Sequence, residues 1–202
     1  MALLDSVAQH RWPIEVVAVV SNRPDAEGLA HARHRGIATH VIAHRDHGSR
    51  EAFDCAMRDL LAPMALDLVV LAGFMRILTA DFCAAYEGRL INIHPSILPS
   101  FKGLDTHRQA LEAGVKVHGC TVHAVTPELD HGPILAQAVV PVLPTDTPEQ
   151  LADRVLRAEH RLYPMTIAAV LSGRLRWVQG RWQEGAARFD HGFTPCLLDA
   201  NP

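Results

Sequence analysis

The sequence predicts an α/β fold with a mainly parallel sheet, helices on both faces and an antiparallel C-terminal hairpin. Three observations predict it. Short apolar runs rich in β-branched residues recur as IEVVAVVS, LDLVVLAG and RLINIH, the pattern of strands covered on both faces. Helical stretches with recognisable starts and stops lie between these runs, and such alternation argues for βαβ units. Farther on, VHGCTVHAV and PILAQAVVPV are separated by TPELDHG, which reads as a turn between two antiparallel strands.

Taken in order, MALLDSVAQH carries apolar residues at helical spacing, so the chain is expected to open inside a helix. A βαβ domain normally opens with a strand and a phosphate-binding turn, and this sequence has neither ahead of the helix. Ile14 to Ser21 form the first expected strand, and Pro24 to Arg35 a helix that Gly36 stops. Ser49 is an N-cap for a helix reaching about Ala62, with Arg50 and Glu51 in its first turn. A strand over Leu66 to Gly73, a helix over Thr79 to Tyr86 and a strand over Arg89 to His94 follow. The hairpin occupies Val117 to Val125 and Pro133 to Val142. From Thr147, apolar residues at Leu151, Val155, Leu156, Leu162, Ile167 and Val170 specify one long helix, with Pro164 as the place for a kink. Together these elements make a Rossmann-like domain over residues 1–180, with 181–202 as a loosely organised tail.

A chain of 202 residues that is 49% hydrophobic can bury one core. Its net charge of −3 provides no global basic field, which argues against nucleic acid or an anionic membrane as the main partner. No apolar run approaches the roughly 20 residues that span a bilayer, and the first residues show no basic region followed by an apolar core. Cys55, Cys83, Cys120 and Cys196 form no CxxC pair, so reduced thiols in a cytoplasmic protein are expected. The thirteen histidines invite a metal reading, above all at His40, His44 and His47. No helical HExxH and no carboxylate set accompany them, so no metal is expected. His118 and His123, an odd distance apart on one strand, are expected to face opposite sides.

The chemistry concentrates in INIHPSILPSFKGLDTH. Ligands of open α/β sheets collect beyond the carboxyl ends of strands, and Asn92 and His94, two apart on such a strand, share one face. A carboxamide donates to a developing oxyanion and an imidazole exchanges a proton near neutral pH, a combination suited to attack on a carbonyl carbon. Structural roles, a strand cap for His94 and a turn contact for Asn92, are the plain alternative. Asp130, in the turn ELDHGP, is a candidate third member, because a carboxylate near an imidazole favours its charged form, although taken alone it reads first as a turn residue. GFMRIL, leaving the strand LDLVVLA on the same side, offers apolar side chains for a flat heterocycle or, equally, for packing the loop on the core.

LAGFMRIL, INIHPSILPSFKGLDTHRQALEAGVKVHGCTVHAVTPELDHGPILAQ and AEHRLYP resemble the glycinamide ribonucleotide formyltransferases of purine synthesis, also called phosphoribosylglycinamide formyltransferases. The similarity runs from Met1 to about Gly173. It implies transfer of the formyl group of 10-formyltetrahydrofolate to the amine of phosphoribosylglycinamide in a cytoplasmic monomer or homodimer, without a metal. By this resemblance Asn92, His94 and Asp130 are catalytic. Met75, Arg76, Ile77 and Leu78 line the pterin pocket, joined on the folate side by Arg50 and Asn92. Glu159 holds the substrate amine.

The family pattern also begins with a strand and a GxGSN turn that grips the ribonucleotide phosphate, and neither is in this sequence. Asp105 stands where many relatives have His. Two alternatives therefore accompany the transferase: a folate-binding protein without activity, and a formyltetrahydrofolate hydrolase. The hydrolase needs an additional N-terminal domain, and methionyl-tRNA formyltransferase an additional C-terminal one.

Overall fold

The structure is a computed structural model, and it describes residues 2–189 and the strand 196–198. The chain opens with helix α1 (Ala2–His10), followed by β1 (Ala18–Ser21), α2 (Glu27–His34) and β2 (Ala38–Val41). Next come α3 (Arg50–Leu61), β3 (Val69–Leu71), α4 (Ala80–Ala85) and β4 (Leu90–His94). A loop then leads through α5 (Thr106–Glu112) to the hairpin β5 (Val117–Ala124) and β6 (Ile134–Pro141). The long α6 (Pro148–Ser172), a small hairpin of β7 (Leu175–Val178) and β8 (Arg181–Glu184), and β9 (Cys196–Leu198) complete the order.

Side-chain caps set three of the helix starts, and of these the sequence predicts Ser49 as a cap. Ser49 and Thr79 accept from the backbone N–H groups of Ala52 and Phe82 at 3.1 and 3.3 Å, satisfying donors that the first helical turn leaves free. Thr147 and Gln150 form a reciprocal capping box at the head of α6. Gly173, at φ 82°, ends that helix in a left-handed conformation that glycine adopts without strain. Pro164 lies within α6 without interrupting it.

The strands divide into separate ladders. β1 and β2 pair in parallel with each other alone, while the main sheet runs β3-β4-β5-β6-β9. Within it β3 and β4 are parallel, β4-β5 and β5-β6 antiparallel, and β9 parallel to β6. One core lies between this sheet and α6, built on Ile91, Cys120, Val122, Leu151, Val155 and Leu162. A second lies on the opposite face, where Phe53, Met57, Phe82 and Leu90 pack together.

A cavity of about 1290 Å³ separates β1 from β3. Val16, Val17, Ala18 and Val20 line it from one strand edge, and Leu68, Val69, Val70 and Leu71 from the other. Leu3, Ile167 and Val170 close one face, and Phe53, Met57 and Leu61 the opposite one. The strand expected from Ile14 therefore shortens to Ala18–Ser21. A strand edge that faces a cavity has no ladder to hold its first residues in register.

Three further elements carried no clear sequence signal. β2 reads ATHV, short and half polar. α5 begins at Asp105, whose side chain makes no capping bond and whose backbone is left-handed at φ 56°. The β7-β8 hairpin straddles residue 180, around antiparallel Trp177 and Trp182.

Candidate active site

Asn92 and His94 lie on the last rungs of β4, directly opposite His123 and Thr121 of β5. Register partners share a face of a sheet, so all four point away from α6, whose core receives the alternate residues Ile91, Cys120 and Val122. The turn between β5 and β6 folds Asp130 back over this face. Its Oδ2 lies 3.5 Å from His94 Nδ1 and its Oδ1 3.9 Å from His123 Nε2, with the three side chains almost fully buried. The sequence-predicted amide, imidazole and carboxylate are thus brought together.

His123 is a fourth member that the sequence reading placed on the strand without a role. Its Nδ1 lies 2.8 Å from the Ala124 carbonyl oxygen, which can only accept, so Nδ1 carries the proton. Burial lowers the pKa of this imidazole below its usual range and keeps it neutral. Nε2 is then an acceptor, and Asn92 Nδ2 donates to it at 3.2 Å. The contact fixes which way the Asn92 amide points and leaves its second N–H free. The available signal was the alternation of Thr121 and His123 opposite His94 and Asn92, which becomes legible once the strand pairing is known.

The loop from Pro95 to Asp105 closes over the other side of His94. His94 Nε2 donates to the Phe101 carbonyl at 3.1 Å, and the Gly103 backbone N–H donates to Asp130 Oδ2 at 2.9 Å. Buried Thr121 anchors this loop: its hydroxyl donates to Ser96 O at 2.7 Å and accepts from Leu98 N at 3.0 Å, while Gln137 Nε2 donates to Leu98 O at 3.0 Å. Phe101, Asp105 and Asp130 all adopt positive φ. Left-handed backbone at non-glycine residues costs energy and persists where the surroundings over-determine it.

His118 and His107 pack edge to face 5.4 Å apart beneath this loop, and Phe101 meets His118 edge to face at 5.6 Å. Neither His118 nitrogen has a full hydrogen-bond partner. Burial, together with the neighbouring imidazoles of His107 and His94, pushes its pKa down to about 4, although the Pro95 backbone slightly favours the charged form.

The remaining predicted residues surround the site at different depths. The loop carrying Met75 to Leu78 leaves β3 one rung from Asn92, since Leu71 and Asn92 are register partners. Met75 and Ile77 are exposed, whereas Leu78 is buried in the core with Phe53 and Phe82. The Arg76 guanidinium lies over the Phe53 ring at 5.1 Å. Arg50 is half exposed in the first turn of α3, near Glu51 at 3.8 Å. Glu159 stands apart from the triad, on the α6 side of the sheet, where burial raises its carboxyl to about 7. Its neighbours there are the Cys120 thiol, pushed up by burial and then by this carboxylate, and the Tyr163 phenol. Among the described residues no group of three His, Cys, Asp or Glu side chains is placed to hold a metal ion, and no helix is long and apolar enough to cross a membrane.

Comparison with known proteins points to the same chemistry. Residues 1–167 match the family model described as formyl transferase. Over 194 residues the chain is 46% identical to phosphoribosylglycinamide formyltransferase of Escherichia coli K12, covering 96% of this chain and 92% of that protein. It is 48% identical over 175 residues to the trifunctional purine biosynthetic protein adenosine-3 of Gallus gallus, matching 87% of this chain and only 17% of that longer protein. Glycinamide ribonucleotide transformylase 1 of Symbiobacterium toebii superposes with a TM-score of 0.86 at 46% identity, over 91% of this chain and 86% of that one.

Proposed function

The chain belongs to the formyl transferase family, and on that premise we propose how it carries out formyl transfer in purine biosynthesis. In this reading 10-formyltetrahydrofolate is the donor, the amine of phosphoribosylglycinamide is the acceptor, and Asn92, His94 and Asp130 carry the transfer. The observation that supports it is the convergence of these three side chains, from two separate strands and a turn, on one buried face.

The amine nitrogen attacks the formyl carbon, forming a carbon–nitrogen bond and a tetrahedral oxyanion. The Asn92 N–H left free by His123 donates to that oxyanion, a contact stronger in the transition state than in the ground state. The bond to N10 then breaks, and His94 passes its Nε2 proton to the departing nitrogen once the Phe101 carbonyl has yielded. Asp130 lies against Nδ1 as counter-charge to the imidazolium and takes part in returning the proton lost by the amine. Met75, Arg76 and Ile77, with the backbone at Leu78, border the pterin, and Arg50 extends that border. Glu159, whose carboxyl burial raises to about 7, receives the amine from the far side of the strand ends.

The test is a formyl-transfer assay with His94→Ala and Asp130→Ala beside the parent chain. Each variant is expected to lower kcat by about 100-fold or more, the scale of general acid–base catalysis. Affinity for a folate analogue should stay within about threefold. Near-normal turnover by either variant removes the mechanism.

We also infer that the cavity between β1 and β3 accepts an extended strand joined to the start of α1. Two facing strand edges with helices on both sides define a space of that shape, and Leu3 of α1 already lines it. A strand there, α1 and β1 would form a βαβ unit of the usual kind.

A further inference from the structure

Tyr163 is nearly buried in α6, and its side chain crosses from the helix to the sheet. Its hydroxyl donates to the carbonyl of Leu71 at 2.7 Å and to that of Ile91 at 3.1 Å, the one proton being shared between them. Leu71 is the last residue of β3 and the register partner of Asn92. Ile91 immediately precedes Asn92 in β4. Four residues before the tyrosine, on the same face of α6, stands Glu159.

One side chain therefore links the helix that carries Glu159 to the end of the strand that launches the Met75 loop and to the peptide unit that launches Asn92. We propose that Tyr163 is a positioning residue: by joining α6 to the last rung of β3 and β4, it sets where Asn92 stands relative to Glu159 and to the Met75 loop. The inference rests on the reading of Asn92 and Glu159 given above. A side chain that only filled the core would need the ring and not the oxygen.

The physical reason is the tolerance of transition-state contacts. Asn92 acts by donating to an oxygen that becomes charged only during reaction, and displacement of such a donor by about 1 Å can cost on the order of 100-fold in rate. Substrate affinity, spread over many ground-state contacts, is less sensitive. Without the tyrosine proton the carbonyls of Leu71 and Ile91 lose a partner they share, and the rung between the two strands is free to open toward the cavity beside β3.

The test is Tyr163→Phe, which removes a single oxygen. Thr166→Val serves as control, because Thr166 is also buried in α6 but donates only within the helix, to Leu162 O at 2.8 Å. Both variants are assayed well below their melting temperatures. Tyr163→Phe should lower kcat by about tenfold or more with KM for both substrates within about twofold, while Thr166→Val keeps kcat. The side-chain amide signal of Asn92, one of three asparagines in the chain, gives a readout that requires no turnover: it should shift in Tyr163→Phe and stay in place in Thr166→Val. If the two variants lose similar stability while kcat and the amide signal remain as in the parent, Tyr163 is a packing residue and the proposal falls. An increase in KM without loss of kcat also overturns it. If the parent chain transfers no formyl group, that refutes the proposed function, and the amide signal still decides the role of Tyr163.

Discussion

His118 shows what burial does to a single titratable group. Both of its ring nitrogens lack full partners, and its pKa falls from 6.5 to about 4. Above pH 6.5 the ring is neutral whether the chain is folded or not, and it contributes nothing to the pH dependence. Between 6.5 and about 4 the unfolded chain binds the proton and the folded one resists it, so stability falls as the solution is acidified, by about 3 kcal/mol in all. His107 and His123, also lowered by burial, act in the same direction. Urea midpoints measured from pH 7 to pH 4.5 should therefore drop steeply for the parent and less steeply for His118→Leu. Parallel profiles would refute the assignment. Asn92 and His94 were legible as a candidate pair from one strand ending, whereas Asp130, in a turn, joined them through the family resemblance. His123 was not, because its role depends on a cross-strand register that spans 31 residues.

Among the elements, the β5-β6 hairpin is both scaffold and site, and its turn depends on Gly132. A Cβ there would meet the Ala124 carbonyl oxygen at 1.8 Å, so Gly132→Ala must displace the segment that carries Asp130. Its kcat is expected to fall at least tenfold, with far-UV circular dichroism retained, as the carboxylate leaves His94. Unchanged kcat would show that the turn relaxes without moving Asp130. Helices α3 and α6 were readable from Ser49 and Thr147, because a capping side chain is a local signal. α5 was not, since Asp105 starts it without capping it. β2 escaped notice for a similar reason: its four residues, two of them polar, carry too little pattern to separate a strand from a loop.

For the whole molecule, the decisive feature is the division of the sheet. The sequence conveyed the alternation of strands and helices, but which strands border the gap is a property of the assembled fold. Among the described residues β1 and β2 pair with each other and share no ladder with β3 to β6. A polypeptide carrying an apolar strand ahead of α1 should melt higher than the 202-residue chain and transfer formyl groups faster. Equal melting temperatures and rates in the two forms would refute the cavity's assignment as a strand site. The same division has a dynamic corollary. Amides of Ala18–Ser21 should exchange with deuterium through small local openings, while those of β4 to β6 wait for global unfolding, so that exchange resolves two tiers of protection within one molecule. A unit held so loosely to its neighbours can breathe without disturbing the triad, and the catalytic face would keep its order while the far edge of the protein opens and closes.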